Sequence, residues 1–388
     1  MVRGKSLKIE VQPDVLKWAI KNSGLPENQI ANKIKVNINT LNDWLSGTKK
    51  PTLRQLESLS QILKRPLAAF FLSKPPEEKP LPRDYRMIPD KVGKFNNKTI
   101  LAIRKARRLQ RVSKELSENL KTEMETGILS VNLSDNPNLI AEKYLEIFKI
   151  NEETRKKWKS PYDALNYFRN ILEDRNIVVF KISMPIEDAR GFTLVEEVPP
   201  VIVVNSKDLA EAQVFTLLHE FGHVLLNKSG VSMPDNALFQ REVNKVEKWC
   251  NEFASAILLP EDVAKTTFKR NKEDLIETQT LNRLSRKLKI SKAMLLYNMS
   301  KFNYITKSQY ELVLKRYDPT QIPTKKEKKK KGGGGVSADR KCISEKGQMF
   351  VSLVSKNINK GFITRSDALD YLSIKSQNLE KVMSQAIK

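Results

Sequence analysis

Histidine and cysteine are scarce in this sequence, with only two of each among its 388 residues. The cysteines, Cys250 and Cys342, lie far apart, which excludes a disulfide framework and fits a reducing compartment. No N-terminal apolar run resembles a signal peptide, and no stretch approaches the ~20 apolar residues of a membrane span. The sequence therefore predicts a cytoplasmic protein without a membrane partner, and a secreted or membrane protease is not expected.

Acidic residues are too few to balance the basic ones, and the net charge is +24. The excess is segmental: residues 1–74 carry 13 Lys and Arg against 5 Asp and Glu, residues 79–114 carry 12 against 2, and residues 325–331 carry 6 against 1. The rest of the chain is nearly neutral. Basic segments of this kind predict a polyanionic partner, and double-stranded DNA is the obvious candidate.

The only two histidines stand in one motif, His219-Glu220-Phe221-Gly222-His223. Residues four apart on a helix share one face, so both imidazoles can reach one metal ion. Two imidazoles and one further side chain suit zinc and leave a coordination position for water, from which Glu220 can take a proton. The alternative is a buried amphipathic helix with two incidental histidines.

The next predicted helix, about residues 240–258, supplies a third candidate ligand. Its apolar stripe contains one carboxylate, Glu247, and burying an unpaired charge is costly. A zinc ion held by His219 and His223 would compensate this charge, so we predict Glu247 as the third ligand of one Zn²⁺ per chain. Cys250 shares the stripe, and it is either a soft ligand or a small buried hydrophobe. A solvent-exposed Glu247 at the edge of the stripe is the alternative.

Residues 13–72 are predicted to form four short helices in the helix-turn-helix arrangement. The third runs from Ile38 to Leu45, with Leu41, Trp44 and Leu45 facing inward.

Short β-branched runs at 177–180, 191–195 and 200–205 predict three strands. They lie just before the predicted helix that carries His219 and His223, which is called the metal helix below. All other periodic segments are helical, including a long helix from about Asn97 to Glu125 that carries Arg104, Arg107, Arg108 and Arg111. These arginines form either a solvated face or a second phosphate-contacting surface. The predicted fold class is mainly α with a small β-sheet (α+β).

Two resemblances to known families follow from these motifs. The N-terminal pattern resembles the phage-repressor (Cro/cI) helix-turn-helix family. Its matching residues are Gly24-Leu25-Pro26, Ile30-Ala31, Ile38, Leu41, Trp44-Leu45-Ser46-Gly47 and Lys50-Pro51-Thr52.

This first resemblance implies that residues 37–46 form the recognition helix of a DNA-binding domain. Exposed Asn side chains of that helix can bond adenine edges in the major groove, and nearby lysines would meet phosphate. Asp43 on the same face is an objection, since it repels phosphate unless it accepts from a cytosine amine. The alternative is a helical domain that binds protein or has lost DNA binding. The candidate DNA-binding residues are Asn37, Asn39, Thr40, Asn42, Lys49 and Lys50.

The second resemblance is to the ImmA/IrrE metallopeptidase family and runs from about Tyr162 to Tyr304. The segment Glu247 to Pro260, following the His-Glu-Phe-Gly-His motif, is similar to that family's second pattern, with Cys250 where an alanine is usual. The resemblance implies zinc on His219, His223 and Glu247, with Glu220 as general base. It also implies a regulatory protein substrate in phages, mobile elements, stress responses or toxin–antitoxin loci.

The predicted organisation has five segments. They are a helix-turn-helix DNA-binding domain (1–74), a basic linker and helical connector (75–159), an ImmA/IrrE-like metallopeptidase domain (160–318), a flexible Lys/Gly linker (319–335) and a C-terminal helical module of unknown role (336–388).

Three functions are compatible with this organisation. The first is a DNA-binding transcriptional regulator fused to a zinc metalloendopeptidase. The second is a non-catalytic DNA-binding regulator or antitoxin whose zinc site is structural or sensory. The third is a protein-only antitoxin that wraps a cognate toxin. Repressor-type domains often dimerise, so a homodimer is a further open alternative.

Overall fold

The computed structural model describes residues 7–84, 95–129, 131–232, 245–316 and 336–386. The chain divides into two compact units, the first built from residues 1–81 and 93–104 and the second from the remainder. The predicted Lys/Gly linker (319–335) lies outside the described residues. Among those that are described, no helix is long and apolar enough to cross a membrane.

The first unit contains the four predicted helices, α1 Pro13–Lys21, α2 Glu27–Lys33, α3 Ile38–Ser46 and α4 Leu53–Leu63. Each boundary has a local cause. The side chain of Asn37 caps α3, Gly47 ends it at φ +79°, and Thr52 with Gln55 forms a capping box on α4. The helices enclose a small apolar core around Leu41, Trp44 and Leu56. Local signals and hydrophobic periodicity thus agree throughout this unit.

Helix α5, Asn97–Asn119, begins in the first unit and continues in the second. The prediction that it extends to Glu125 is wrong. Lys121 adopts a left-handed conformation at φ +52°, and the Thr122 N–H donates to the carbonyl of Ser117, which closes the helix in the manner of a Schellman motif.

Arg104 on α5 has neither of the two predicted roles. Its guanidinium is half-buried and donates to the carbonyls of Asn22 and Leu63, at the C-terminal ends of α1 and α4. Burial, with the nearby charge of Arg65, lowers the pKa of Arg104 to about 10. A cation at two helix C-termini satisfies carbonyls that lack helical partners, so Arg104 is a structural residue of the first unit.

The second unit holds the remaining helices. They are α6 Pro137–Ile147, α7 Glu152–Lys157, α8 Pro161–Glu173, α9 Ala210–Leu225, α10 Lys245–Leu258, α11 Glu261–Arg270, α12 Thr278–Leu288, α13 Lys292–Lys301, α14 Lys307–Arg316, α15 Ala338–Lys346, α16 Gln348–Asn359, α17 Arg365–Leu372 and α18 Leu379–Ala386.

A mixed five-stranded sheet completes this unit, with strand order β1-β5-β3-β4-β2. The three predicted strands are β2 Val178–Ile182, β3 Gly191–Leu194 and β4 Val201–Asn205. Two short strands were not predicted, β1 Arg83–Asp84 and β5 Gly230–Ser232. Strand β3 is antiparallel to both β4 and β5, whereas β2 runs parallel to β4. Helix α9 packs on β3 and β4, and this contact places the histidine motif beside the sheet.

The C-terminal helices cover the outer strand β2. Helix α15 packs on β2, and Phe350 of α16 meets Phe180 at 5.4 Å between ring centroids. A buried ion pair on α8 holds the junction between α15 and α16. Arg169 donates to the carbonyl of Ser344 at 2.6 Å, while Glu173 accepts from the Met349 N–H at 2.9 Å.

Candidate metal centre

Helix α9 brings the two histidines onto one face that is closed from solvent. His219 and His223 are one helical turn apart, and their Nε2 atoms lie 3.2 Å from each other. Both side chains are buried. The rings therefore converge on a single point, as the four-residue spacing predicts.

The third converging group comes from α10, which packs against α9. The Glu247 carboxylate lies with Oε2 3.2 Å from His219 Nε2 and Oε1 3.0 Å from His223 Nε2. Glu247 is only 7% exposed, so the alternative of a solvent-exposed glutamate is wrong. Within the part of the chain that the structure describes, these three residues form the one cluster of potential metal ligands.

The donor set fits a zinc ion. Metal–ligand distances of about 2.0–2.2 Å in a tetrahedral site separate neighbouring donor atoms by roughly 3.3 Å. The separations of 3.0–3.2 Å among the two imidazole nitrogens and the carboxylate are close to that value. Three protein donors leave one of four tetrahedral positions for another ligand, which is typical of catalytic sites.

The electrostatics of the three groups are mutually dependent. Burial alone would raise the pKa of Glu247, but the two imidazoles outweigh it and lower the pKa from 4.5 to about 2. Burial opposes protonation of His219, yet the charge and hydrogen bond of Glu247 raise its pKa above 6.5. A carboxylate that stays ionised inside the protein suits a cation-binding site.

Glu220 lies next to His219 on α9 and is completely buried. Its Oε2 accepts a hydrogen bond of 2.6 Å from the Thr193 hydroxyl, which projects from β3. Strand β3 thereby fixes the orientation of this carboxylate beside the two imidazoles.

Gly191 makes the close approach of β3 and α9 possible. A Cβ at this position would lie 2.5 Å from Thr216 Cγ2, 2.9 Å from Glu220 Oε1 and 2.9 Å from the carbonyl oxygen of Val203. Real side chains do not tolerate such distances, and the Val203 carbonyl belongs to the sheet. Any larger residue would therefore displace either α9 or the Glu220 carboxylate.

Gly222 has the same role between α9 and α10. A Cβ there would lie 3.1–3.2 Å from the Sγ, Cα and Cβ atoms of Cys250. The Cys250 thiol is fully buried, and burial raises its pKa well above 9. Its sulfur is not part of the converging donor set. Cys250 is therefore a packing residue that lets α10 come close enough for Glu247 to reach the histidines.

Two polar contacts of the site were missed from sequence. Asn251, one turn after Glu247 on α10, adds to the effect of Glu247 in raising the pKa of His219, and the spacing of four could have indicated it. Thr193 offers no such signal, since it reaches Glu220 from a strand that is distant in sequence.

The predicted DNA-binding residues lie at the N-cap of α3, within this helix and just after it. Asn37, Asn39 and Asn42 are exposed and Thr40 is half-buried. The Asn37 side chain accepts from the Asn39 N–H at 2.9 Å, so a bidentate contact between Asn37 and adenine would require this cap to open. That cost weakens Asn37 as a base-reading residue relative to its neighbours.

The lysines that follow α3 are engaged in exposed ion pairs. Lys49 lies 2.7 Å from the Asp43 carboxylate, and Lys50 lies 3.1 Å from that of Glu10. The first pair answers the objection raised by Asp43, because its charge is offset by a neighbouring cation. Exposed pairs of this kind are weak enough to be exchanged for phosphate contacts.

The fold and the two sites define a chain that joins a small helical domain to an α+β unit with a candidate metal centre. Comparison with known families matches residues 16–70 to a helix-turn-helix family and residues 172–300 to the IrrE N-terminal-like domain of the M78 peptidases. No curated protein matches the chain. The suspected combination of a Cro/cI-type domain with an ImmA/IrrE-like peptidase domain is therefore confirmed.

Proposed function

We propose that this protein is a DNA-binding transcriptional regulator whose second unit is a zinc-dependent metalloendopeptidase. Its substrate would be a regulatory protein of a phage, mobile element, stress response or toxin–antitoxin locus in the cytoplasm. The observation that carries the proposal is the convergence of His219, His223 and Glu247, with Glu220 held beside them by Thr193.

In this proposal, one zinc ion per chain is held by His219, His223 and Glu247. The ion would supply Lewis-acid activation of water and of the scissile carbonyl. The ligands are nearly completely buried, and the low dielectric of the protein interior strengthens these electrostatic interactions.

Glu220 acts as the general base and later as the acid. Its carboxylate takes a proton from the attacking water and returns it to the leaving amine. The Thr193 hydroxyl, at 2.6 Å from Oε2, holds the carboxylate in one orientation.

The DNA-binding part of the proposal rests on the helix-turn-helix match and the basic charge of the first unit. Asn39, Thr40 and Asn42 would read base edges, with Asn37 able to join them only by opening its cap. Lys49 and Lys50 would exchange their carboxylate partners for phosphates.

The test combines metal analysis with a search for cleavage. We expect one zinc per chain in the wild type and loss of zinc in both His223→Ala and Glu247→Ala. The zinc-loaded full-length protein would then be incubated with a proteome-derived peptide library, and new N-termini would be compared with those from Glu220→Gln. Cleavage by Glu220→Gln at the wild-type rate would refute the mechanism. The absence of metal from wild-type protein purified without a chelator would refute the zinc site.

A second function, a non-catalytic regulator or antitoxin with a structural or sensory zinc site, is favoured by one observation. The side chains of His219, Glu220 and His223, and that of the third predicted ligand Glu247, are all nearly inaccessible to solvent. Cobalt substitution separates the two functions, because acetohydroxamate changes the cobalt spectrum only if a coordination position is open. An unchanged spectrum together with absent cleavage would support the alternative.

A further inference from the structure

The C-terminal helices repeat the helix-turn-helix of the first unit. Adding 338 to every residue number places the segment 13–46 on the segment 351–384 without a gap. Helices α1 and α2 then coincide with the last nine residues of α16 and with α17, and α3 coincides with a 3-10 turn (Ser376–Asn378) followed by α18.

The turn between the last two helices is the same in both segments. Lys35 and Ser373 occupy equivalent positions and are both left-handed, at φ +58° and +56°. The residue that precedes the last helix is extended in each case, with φ −70° and ψ 147° at Asn37 and φ −82° and ψ 151° at Lys375. The chain therefore reverses its direction through the same backbone path.

Six backbone hydrogen bonds of the first segment recur at the same offset, with donor–acceptor distances that differ by no more than 0.1 Å. The pairs are Asn22 to Trp18 and Lys360 to Lys356; Ser23 to Ile20 and Gly361 to Ile358; Ile30 to Pro26 and Ala368 to Thr364; Lys35 to Asn32 and Ser373 to Asp370; Val36 to Ala31 and Ile374 to Leu369; and Thr40 to Asn37 and Asn378 to Lys375.

Burial follows the same offset, although only three residues are identical between the two segments. A tight core thus recurs with different side chains. The equivalent buried pairs are Val15 and Leu353, Leu16 and Val354, Ala19 and Asn357, Ile30 and Ala368, Ile34 and Leu372, Leu41 and Leu379, and Trp44 and Val382.

We propose that α17 and α18 form a second helix-turn-helix, and that the start of α18 with its preceding turn reads duplex DNA. The residues equivalent to the exposed face of α3 are exposed here as well, at 375–377 and 380–381. The backbone path is therefore the same in the two segments, and both have an outward polar face. This is the arrangement that places a recognition helix in the major groove.

The chemistry of this face suits DNA. Gln377 stands at the position of Asn39, and its amide can bond adenine, while Lys375 and Lys381 can meet phosphate. The one carboxylate on the face, Glu380, lies 2.8 Å from the Arg365 guanidinium, which offsets its charge. Residues 336–386 contain eight Lys and Arg against five Asp and Glu, and the lysine-rich run 325–331 precedes them in sequence.

Site-specific photo-crosslinking in the full-length protein tests the proposal directly. A benzophenone amino acid would replace Gln377 in one sample and the exposed Lys356 of α16 in the control. After illumination with random-sequence duplex DNA at low salt, we expect DNA adducts from position 377 and at least tenfold fewer from position 356. The absence of DNA adducts at position 377 would overturn the proposal, and protein adducts in a cell extract would then identify the module as a protein-binding one.

A charge-reversal pair gives an independent, quantitative test. Lys375→Glu with Lys381→Glu would be compared with the control Lys341→Glu with Lys356→Glu, both built on an Asn39→Ala, Asn42→Ala background that weakens base contacts of the first unit. The logarithm of the affinity falls as the logarithm of the salt concentration rises. The loss of two phosphate contacts should make this negative slope shallower by about 2. Equal slopes for the two pairs would contradict DNA contact by the C-terminal face, without bearing on the first unit or the metal site.

Discussion

Replacing Glu247 by glutamine tests the metal centre with a minimal change of shape. The substitution removes the one negative charge among the three converging donors. It leaves the amide in the space of the carboxylate, between His219 and His223 at 3.0–3.2 Å. The volume of the site is preserved, so an effect on metal binding would report on charge and ligand strength.

The expected increase in the Kd for zinc follows from the free energy that each ligand of a zinc site contributes. Structural zinc sites in small peptides are worth about 10–16 kcal/mol, so one of four ligands contributes roughly 3 kcal/mol. We therefore expect the Kd for zinc to rise on the order of 100-fold in Glu247→Gln.

Competition between zinc and a proton on His219 makes the expected increase in Kd depend on pH. Glu247 raises the pKa of His219 above 6.5, so the metal-free wild type holds a proton on His219 below that raised pKa, and zinc must displace it. The variant lacks the carboxylate that contributes most to raising this pKa, so His219 binds the competing proton less tightly. The ratio of the variant's Kd to that of the wild type should therefore be smaller near neutral pH and grow as pH rises through the pKa of His219.

The assay is competition with a chromogenic zinc chelator at neutral and at mildly alkaline pH. Glu252→Gln on the same helix is the matched control, since Glu252 is half-buried and lies 3.9 Å from Lys248 rather than near the histidines. Zinc affinities that are equal for Glu247→Gln and Glu252→Gln would refute the assignment of Glu247 as a ligand.

Other substitutions test the packing described above. Gly191→Ala should lower the free energy of unfolding by about 1–3 kcal/mol through overpacking against the metal helix, and chemical denaturation that shows no loss would contradict the close approach. Arg104→Met should destabilise the first unit by roughly 2 kcal/mol in urea titrations, whereas Arg111→Met, at an exposed position of the same helix, should have little effect. Arg169→Met leaves Glu173 buried without its partner cation and should cost about 3–5 kcal/mol, so limited proteolysis should release the C-terminal helices faster than in the wild type.

Features that depend on neighbours in sequence were predictable. The helix that carries His219 and His223 follows from spacing and apolar flanks. The position of Glu247 beside them could be predicted because a lone carboxylate on an apolar stripe needs a positively charged partner. The caps of the first unit are also local, as Gly47 and Thr52 show.

Features that depend on distant contacts were not predictable. Strands β1 and β5 have only two and three residues and exist through pairing, so no alternation marks them. Thr193 meets Glu220 across a strand–helix interface, and Arg104 meets two helix ends that lie far away in sequence. The C-terminal repeat cannot be recognised from the sequence, because it preserves backbone path and burial rather than residue identity.

The covering of β2 by α15 and α16 has a consequence for biosynthesis. Strand β2 forms one edge of the sheet and ends at Ile182, but the helices that pack on it begin more than 150 residues later in the sequence. At a translation rate of about 5–20 residues per second, that edge stays uncovered on the ribosome for roughly ten to thirty seconds. An exposed edge strand can pair with other chains during this interval. Chaperone contact with the nascent chain should therefore be greatest before the residues of α15 emerge.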